Sequence, residues 1–432
     1  MNSAISNAAP VCIVDGTRTP FLRARGVPGP FAAADLAVQA ARPLLARQNF
    51  AATELDEVIL GCIMPAPEET NIARVVALRL GCGPATPAWT VQRNCGSGMQ
   101  AVDSAMRDIQ AGKADLVLAG GTEAMSHAPL LYSPAMVAWL GGINAARGLP
   151  ATLKALTGFR PGYLKPVIAL LKGLTDPVVG LNMGQTAEEL AFRYAISRER
   201  MDAYAVQSHL RLEAARHAGR LTEITELYDS QGQFYDYDDG VRPDSAVEKL
   251  ARLQPVFDRE FGQVTAGNSS QITDGAAWLI LASEQAAQRH QLPVLARIID
   301  SEWAGLAPQQ MGLGPVHAMT PIMQRQKLRI DDLDYFEINE AFAAQVLACI
   351  EAWRDPSYCR DELQLPDSMG EIDMARLNVD GGAIAIGHPV GTSGARIVLH
   401  LCQVLRQKDA RRGMAALCIG GGQGGAMLIE SA

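Results

Sequence analysis

Residues 94–125, NCGSGMQAVDSAMRDIQAGKADLVLAGGTEAM, set a cysteine on a glycine-rich corner directly before a strongly periodic apolar segment. Met99, Val102, Met106 and Ile109 recur at three- and four-residue spacing, and Ala101 and Ala105 widen the stripe. Residues 97–111 therefore read as one helix with a broad buried face. Gly96 and Gly98 allow the tight turn into it. Cys95 then faces unpaired N–H groups and the positive end of the helix dipole, both of which favour thiolate over thiol. The helix ends near Gly112, and the apolar run 115–119, before Gly120 and Gly121, reads as a short buried strand.

The same order of parts returns near the C-terminus. A glycine loop at 387–394 leads into a helix at 395–406, a strand at 414–419 and the glycine-rich run 420–425. His388 occupies the loop, and Cys418 the end of the strand. A duplicated α/β unit would bring Cys95, His388 and Cys418 to one cleft between two halves.

A length of 432 residues predicts two or three domains, and 48% apolar with 19% charged residues is the balance of a soluble globular chain. A formal charge of -8 without a long basic tract argues against a nucleic-acid backbone as partner. The N-terminus shows no charged leader followed by an apolar core, and no run is apolar enough to span a bilayer. The eight cysteines are dispersed, with no CxxC pair and no zinc-type Cys/His spacing, so no metal site is expected. Reduced thiols in a cytoplasmic compartment are expected instead, with Cys12, Cys62, Cys349 and Cys402 packed in the core.

Along the chain, strands are expected at 11–14, 58–63 and 89–92. Helices are expected at 34–46, kinked or split by Pro43, and at 71–80. Their alternation predicts a largely parallel sheet. Residues 127–180 read as an insertion, with Arg147, Lys154, Arg160, Lys165 and Lys172 against one acid, Asp176. Leu164, Ile168, Leu171 and Leu174 fall on one helical face beside two of these lysines. Such a face suits an interfacial or partner-binding helix, or a cover over the protein's own groove or subunit contact. Residues 184–216 read as two helices, with Ser197 as N-cap of the second. Residues 229–244 read as an acidic surface loop, and 264–283 as a return to the first sheet. From 292 the early order repeats: strand 294–299, helix 320–326, strand 335–338, the turn Asn339-Glu340 and helix 341–351. Residues 355–374 read as a surface excursion. The histidines at 127, 209, 217, 290, 317 and 400 read as surface or helix residues without a role.

Taken in order, NCGSGMQA, GGTEAMS, TAGNSSQITDGAA, NEAFAAQ, GGAIAIGHPVGTSGAR and CIGGGQGGAM resemble the thiolases across nearly the whole chain. The long insertion looks most like that of the β-subunits of fatty-acid-oxidation trifunctional complexes. The resemblance implies an α/β fold of two duplicated βαβαβαββ halves stacked as five layers, α-β-α-β-α, with an inserted loop domain. On this chain the halves would be 1–126 plus 271–290, and 291–432, with 127–270 as the loop domain. A homodimer or dimer of dimers is implied, with coenzyme A as substrate and no permanently bound cofactor. A hydratase/dehydrogenase α-subunit as partner and peripheral membrane contact through 127–180 are further expectations.

The implied chemistry is thiolytic cleavage of 3-ketoacyl-CoA to acetyl-CoA and a shortened acyl-CoA, as in fatty-acid β-oxidation. His388 would take the proton of Cys95, whose sulfur attacks the ketone and keeps the acyl group. Cys418 would protonate the departing enolate and later deprotonate the incoming CoA thiol. His388 and a water held by Asn339 would meet charge on the thioester oxygen, and the N–H groups of Cys95 and Gly420 would meet charge on the acyl-enzyme oxygen. Ser270 matches a serine on the pantetheine arm, and Met183 lies in the motif lining the acyl pocket. Asn182 and Gln271 depart from the pattern, since many short-chain members carry histidine and glycine there. The same residues would serve a biosynthetic acetoacetyl-CoA thiolase condensing two acetyl-CoA. From another class, a catalytically idle CoA-binding scaffold subunit remains an alternative.

Overall fold

The computed structural model describes residues 10–432. Strands β1 (Val11–Arg18), β2 (Glu57–Gly61), β3 (Ala88–Val91), β4 (Leu116–Ala124) and β5 (Thr273–Ala282) form one half of a continuous mixed sheet. Strands β6 (Ala296–Gly305), β7 (Tyr335–Ile338), β8 (Arg412–Ile419) and β9 (Gln423–Ser431) form the other. Their spatial order is β7-β8-β9-β6-β1-β5-β4-β2-β3, with the short strand Leu22–Arg23 beside β5. The halves meet where β1 pairs β6, Val11 opposite Ile298 and Ile13 opposite Ala296. Outward from this seam each half repeats one order: first strand, last, next to last, second. In the N-terminal half β3 follows at the edge, whereas its counterpart is only a bridge between Phe336 and Leu377.

The sheet is not largely parallel. Parallel pairing is confined to β2 with β3 and β4, and to β7 with β8. The seam and the strands around it are antiparallel. In each half the last strand returns antiparallel beside its predecessor, a pairing that needs no crossover helix. Between β8 and β9 the return is made by Gly420, Gly421 and Gly422 alone, the last two at φ +92° and +76°, where a side chain would be strained.

Alternation along the strands sorts the core into three layers. Cys12, Val58, Leu118 and Trp278 pack in the core beneath helices α1 (Ala33–Ala46) and α2 (Ile72–Arg79). Ile13, Ile59, Val117 and Leu279 face the opposite way, into a shared layer with Leu417, Ile419 and Met427 of the other half and helix α3 (Ser97–Gln110). Helices α4 (Met183–Arg193) and α5 (Arg198–His217) lead to the C-terminal half, whose outer core joins α6 (Gly314–Arg325) and α7 (Ala343–Arg354) to Met414, Ala416 and Leu428. Helix α8 (Ser393–Gln407) lies beside α3 in the middle, buried from Ser393 to Leu405. The layers thus run helix, sheet, helix, sheet, helix.

The two inner helices cross at glycines. A Cβ on Gly98 would lie 2.8 Å from the Ala395 amide nitrogen, and one on Gly394 would lie 2.5 Å from that of Met99. Backbone meets backbone there, and this approach brings the corner before α3 against the loop before α8.

Several sequence readings change. Helix α1 passes through Pro43 unbroken, because Pro43 sits on the solvent face while Leu36, Ala40, Ala41 and Leu44 hold the buried stripe on either side of it. Strand β4 runs through Gly120 and Gly121, whose missing side chains admit the Ala277 and Gly391 carbonyls. Leu164, Ile168, Leu171 and Leu174 share no helix. Pro166 separates a 3-10 turn (Pro161–Leu164) from a two-residue strand (Val167–Ile168) and a five-residue helix (Ala169–Gly173). Within 229–244 Asp238 is buried, because it holds the buried Arg18 guanidinium at 2.7 and 2.8 Å. Within 355–374 Tyr358 and Cys359 are buried in the outer C-terminal core. His400 is on a helix but interior, since α8 has no solvent face.

Candidate active site

Cys95 sits at the corner between β3 and α3. Asn94 before it has φ 43° and donates its side-chain amide to the Gly420 carbonyl at 2.8 Å, tying the corner to the glycine turn after β8. The Ser97 hydroxyl donates to the Asn94 carbonyl at 2.7 Å and accepts the Arg93 N–H at 2.8 Å, which locks the turn. A Cβ on Gly96 would lie 2.6 Å from the Ile419 side chain of the other half.

His388 comes from the loop before α8. Its backbone N–H donates to the Gln271 carbonyl at 2.9 Å, and its Nδ1 lies 2.6 Å from the Ser393 hydroxyl. That hydroxyl also donates to the Pro389 carbonyl at 3.2 Å. With its single proton committed there, Ser393 accepts Nδ1–H, and the network assigns the lone pair to Nε2. Nε2 is buried without a protein partner. Burial, and then the charge of Arg396, pulls the imidazole down to about 4, so it is neutral at physiological pH.

Cys418, at the end of β8, is buried. Its thiol is pushed well above the ordinary value by burial, then by Cys95 and Cys349. The Cys95 thiol is also raised, by burial first; the N–H groups of Gly420 and of Cys95 itself oppose this, and Glu123 adds to it. The amides thus favour the thiolate as expected, but burial opposes them, and His388 is the base at hand.

Cys95, His388, Cys418, Gly420, Met183 and Ser270 all line one cavity of about 690 Å³. Asn339 does not line it: two residues before Ala341, which does, Asn339 is fully buried with neither side-chain amide atom partnered by protein. Buried polar atoms of this kind call for water or substrate. The adjacent Glu340 accepts from Tyr204, Ser208, Asn378 and the Ile384 N–H, which pins the segment leading to His388. Met183 opens α4 after its N-cap Asn182 and would lie 3.1 Å from a Cβ on Gly420. Ser270 is held by its N–H on the Ala341 carbonyl at 2.9 Å. A second chamber of about 210 Å³ reaches Cys95 between Met64, Leu170, Leu174, Met183 and Val390. Its roof is the helix Ala169–Gly173 of the insertion.

Sequence reasoning missed four residues here. Arg23 and Arg242 line the large cavity, and no local pattern announces them. Ser393 lay in the glycine loop motif, five residues after His388, and Glu123 in GGTEAMS. A carboxylate inside an apolar glycine run was the available signal for the latter.

A thiol from one half that shares a cavity with a neutral imidazole and a second thiol from the other, in a duplicated five-layer α/β fold, is the arrangement of an acyltransferase. The sequence matches the thiolase N-terminal domain over residues 11–285 and the thiolase C-terminal domain over residues 292–431. The chain belongs to the thiolase family. It is 35% identical over 427 residues to a 3-ketoacyl-CoA thiolase of Yersinia pestis (strain Pestoides F), covering 97% of this chain and 96% of that one. Human mitochondrial 3-ketoacyl-CoA thiolase in complex with CoA superimposes at a TM-score of 0.84 with 36% identity, covering 100% of both chains. The acetyl-CoA acetyltransferase of Bacillus anthracis superimposes at 0.82 with 34% identity, covering 99% of this chain and 100% of that one.

Proposed function

We propose that this enzyme cleaves 3-ketoacyl-CoA with free CoA, yielding acetyl-CoA and a shortened acyl-CoA in fatty-acid degradation. The observation that carries the reading is the meeting of Cys95, His388 and Cys418 on one cavity. The Nε2 lone pair of His388 takes the Cys95 proton as the sulfur bonds to the C3 carbonyl carbon. The C2–C3 bond then breaks, leaving an acyl thioester on Cys95 and the enolate of acetyl-CoA. Cys418 gives its proton to C2. Its thiolate next deprotonates CoA, whose sulfur takes the acyl group, and Cys95 leaves and recovers its proton from His388. The Gly420 and Cys95 N–H groups, already directed at the sulfur, serve the acyl-enzyme oxygen, and a water on Asn339 with His388 serves the thioester oxygen. Ser270 contacts the pantetheine arm, Met183 the acyl chain, and Arg23 with Arg242 the CoA phosphates.

The reading extends to organisation. Residues 127–270 act as a loop domain over the site, supported by Met183, Arg242 and Ser270 lining the cavity. The enzyme works in the cytoplasm as a homodimer or dimer of dimers with a hydratase/dehydrogenase subunit. Its insertion covers the protein's own groove through Leu171 and Leu174, and its exposed Leu149 and Leu164, among basic residues, suit a peripheral membrane contact.

The test follows the enolate absorbance of 3-ketoacyl-CoA after mixing with enzyme and CoA, with intact-mass detection of the acyl group. Acylation of Cys95, absent after Cys95→Ala, is expected. CoA binding without absorbance loss would make the chain a scaffold. Higher kcat/KM for acetoacetyl-CoA than for a long-chain substrate would move it to the short-chain, biosynthetic role.

A further inference from the structure

Glu123 is neither nucleophile, base nor acid in this scheme, yet it is completely buried beside the site. It stands on β4 two residues past Gly121, where the missing side chain admits the Gly391 carbonyl. Its Oε2 accepts the backbone N–H groups of Ile63 and Gly391, each at 3.0 Å. Its Oε1 accepts the Met64 N–H at 3.0 Å and the Cys62 thiol at 3.6 Å. Burial raises the Glu123 carboxyl, and the three backbone N–H groups, which can only donate, oppose this by favouring the carboxylate. Among the described residues no Lys, Arg or His forms an ion pair with it. Ile63 and Met64 follow β2 in the N-terminal half and line the smaller chamber. Gly391 lies three residues after His388 and two before Ser393, in the other half.

We propose that Glu123 is a positioning residue: by gathering the Ile63, Met64 and Gly391 amides onto one carboxylate, it fixes the His388 loop of one half against the Cys95 corner of the other. A buried anion without a counterion is costly unless its lone pairs are filled, and here the filling groups belong to loops of the active site. The inference rests on the thiolase reading of that site.

Two variants separate reach from charge. Glu123→Gln keeps the length but removes the charge and puts a donor in place of one oxygen, which turns away the Met64 N–H at the Oε1 position or the Ile63 and Gly391 N–H groups together at the Oε2 position. Glu123→Asp keeps the charge but is one methylene short of spanning both loops. Both are expected to lower kcat by about ten- to a hundred-fold, the scale of small misplacements of reacting groups. The pH midpoint for alkylation of Cys95 by iodoacetamide should fall in the Gln variant, which lacks the charge that raises the thiol, and stay in place in the Asp variant. A group that only stabilised the fold would lower the melting temperature and leave both kcat and the midpoint of the folded enzyme unchanged, which overturns the proposal. Should neither variant fold, hydrogen exchange on the wild type decides. The Gly391 amide should be protected like the amides of β5, and exchange at the rate of an open loop overturns the clamp. Alkylation and exchange need no turnover. Absence of wild-type acylation by 3-ketoacyl-CoA would therefore fault the assigned reaction and leave the clamp standing or falling on these two readouts.

Discussion

The Nδ1 atom of His388 lies 2.6 Å from the hydroxyl of Ser393, five residues ahead in the chain at the start of α8. With the Ser393 hydroxyl donating to the Pro389 carbonyl, this contact assigns the proton to Nδ1 and the basic lone pair to Nε2. Ser393→Ala removes the acceptor for Nδ1–H and frees the ring to turn or change tautomer. A loss of about ten- to a hundred-fold in kcat is expected, with KM little changed, since nothing that binds CoA is touched. Steady-state kinetics with one 3-ketoacyl-CoA check this, and an unchanged kcat would show that Ser393 does not set the base.

A second expectation concerns the resting nucleophile. Burial raises the Cys95 thiol and lowers His388 to about 4, so at neutral pH the pair is thiol and imidazole, not thiolate and imidazolium. Alkylation of Cys95 in the free enzyme should then be slow at pH 7 and accelerate with a midpoint above about 8.5, the ordinary thiol value. The rate is read by peptide mass spectrometry on Cys95. A plateau already reached below pH 7 would mean that an ion pair exists and that the amides outweigh burial after all.

Chain length can be read against the small chamber beside Cys95. Gly173 lines it, and a Cβ built there meets nothing within 4 Å, so a larger side chain enters space without displacing backbone. Gly173→Leu should cut kcat/KM for a long-chain 3-ketoacyl-CoA by about ten-fold or more while leaving acetoacetyl-CoA unaffected, in keeping with the weight of a few methylenes in an apolar pocket. Equal losses on both substrates would place the acyl tail elsewhere.

The repeat was legible because α3 and α8 announce themselves twice over, by apolar spacing and by glycines at the corner that precedes each. The cysteine and histidine could be placed on one cleft for the same reason. Strand direction was not legible, since a strand buried on both faces is a plain apolar run whichever way its neighbour points. Nor was the partnership of Arg18 with Asp238, which are 220 residues apart and marked by no local pattern. The apolar period from Leu164 to Leu174 runs across Pro166, where the local backbone restriction outweighs the spacing. The state of the Cys95 thiol was legible by half: the helix end acts locally and can be read from sequence, but desolvation depends on what the rest of the fold packs over the sulfur.

The last expectation comes from the charges packed against α8. His400 Nδ1 lies 2.9 Å from Glu223, and its Nε2 lies 3.7 Å from Asp380 and 3.9 Å from Glu337; Arg18 lies 3.4 Å from the same Glu223 carboxylate. Burial alone would lower His400, but Glu223 first and then Glu337 and Asp380 outweigh it, and its value is raised. Glu223 moves the other way: burial opposes ionisation, yet His400 and then Arg18 hold it down to about 2. The signs define a window. A histidine raised on folding contributes stability that is complete below its unfolded value of about 6.5 and is lost as pH climbs through its folded value. A carboxylate depressed on folding contributes stability that is complete above about 4.3 and is lost only as pH falls toward 2. Thermal stability should therefore be highest between about pH 4.3 and 6.5 as far as the His400–Glu223 pair decides it, and should decline toward pH 9. His400→Gln can still donate one hydrogen bond to Glu223 but carries no charge, so it leaves Glu223 to Arg18 alone, which Asp238 already holds, at a cost of up to about 3 kcal/mol at pH 6. Melting curves of both proteins at pH 6 and pH 9 make the comparison. The variant should lose most of its deficit at pH 9, where wild-type His400 has begun to give up its proton, and a deficit of equal size at both pH values would show that His400 acts by packing and not by charge.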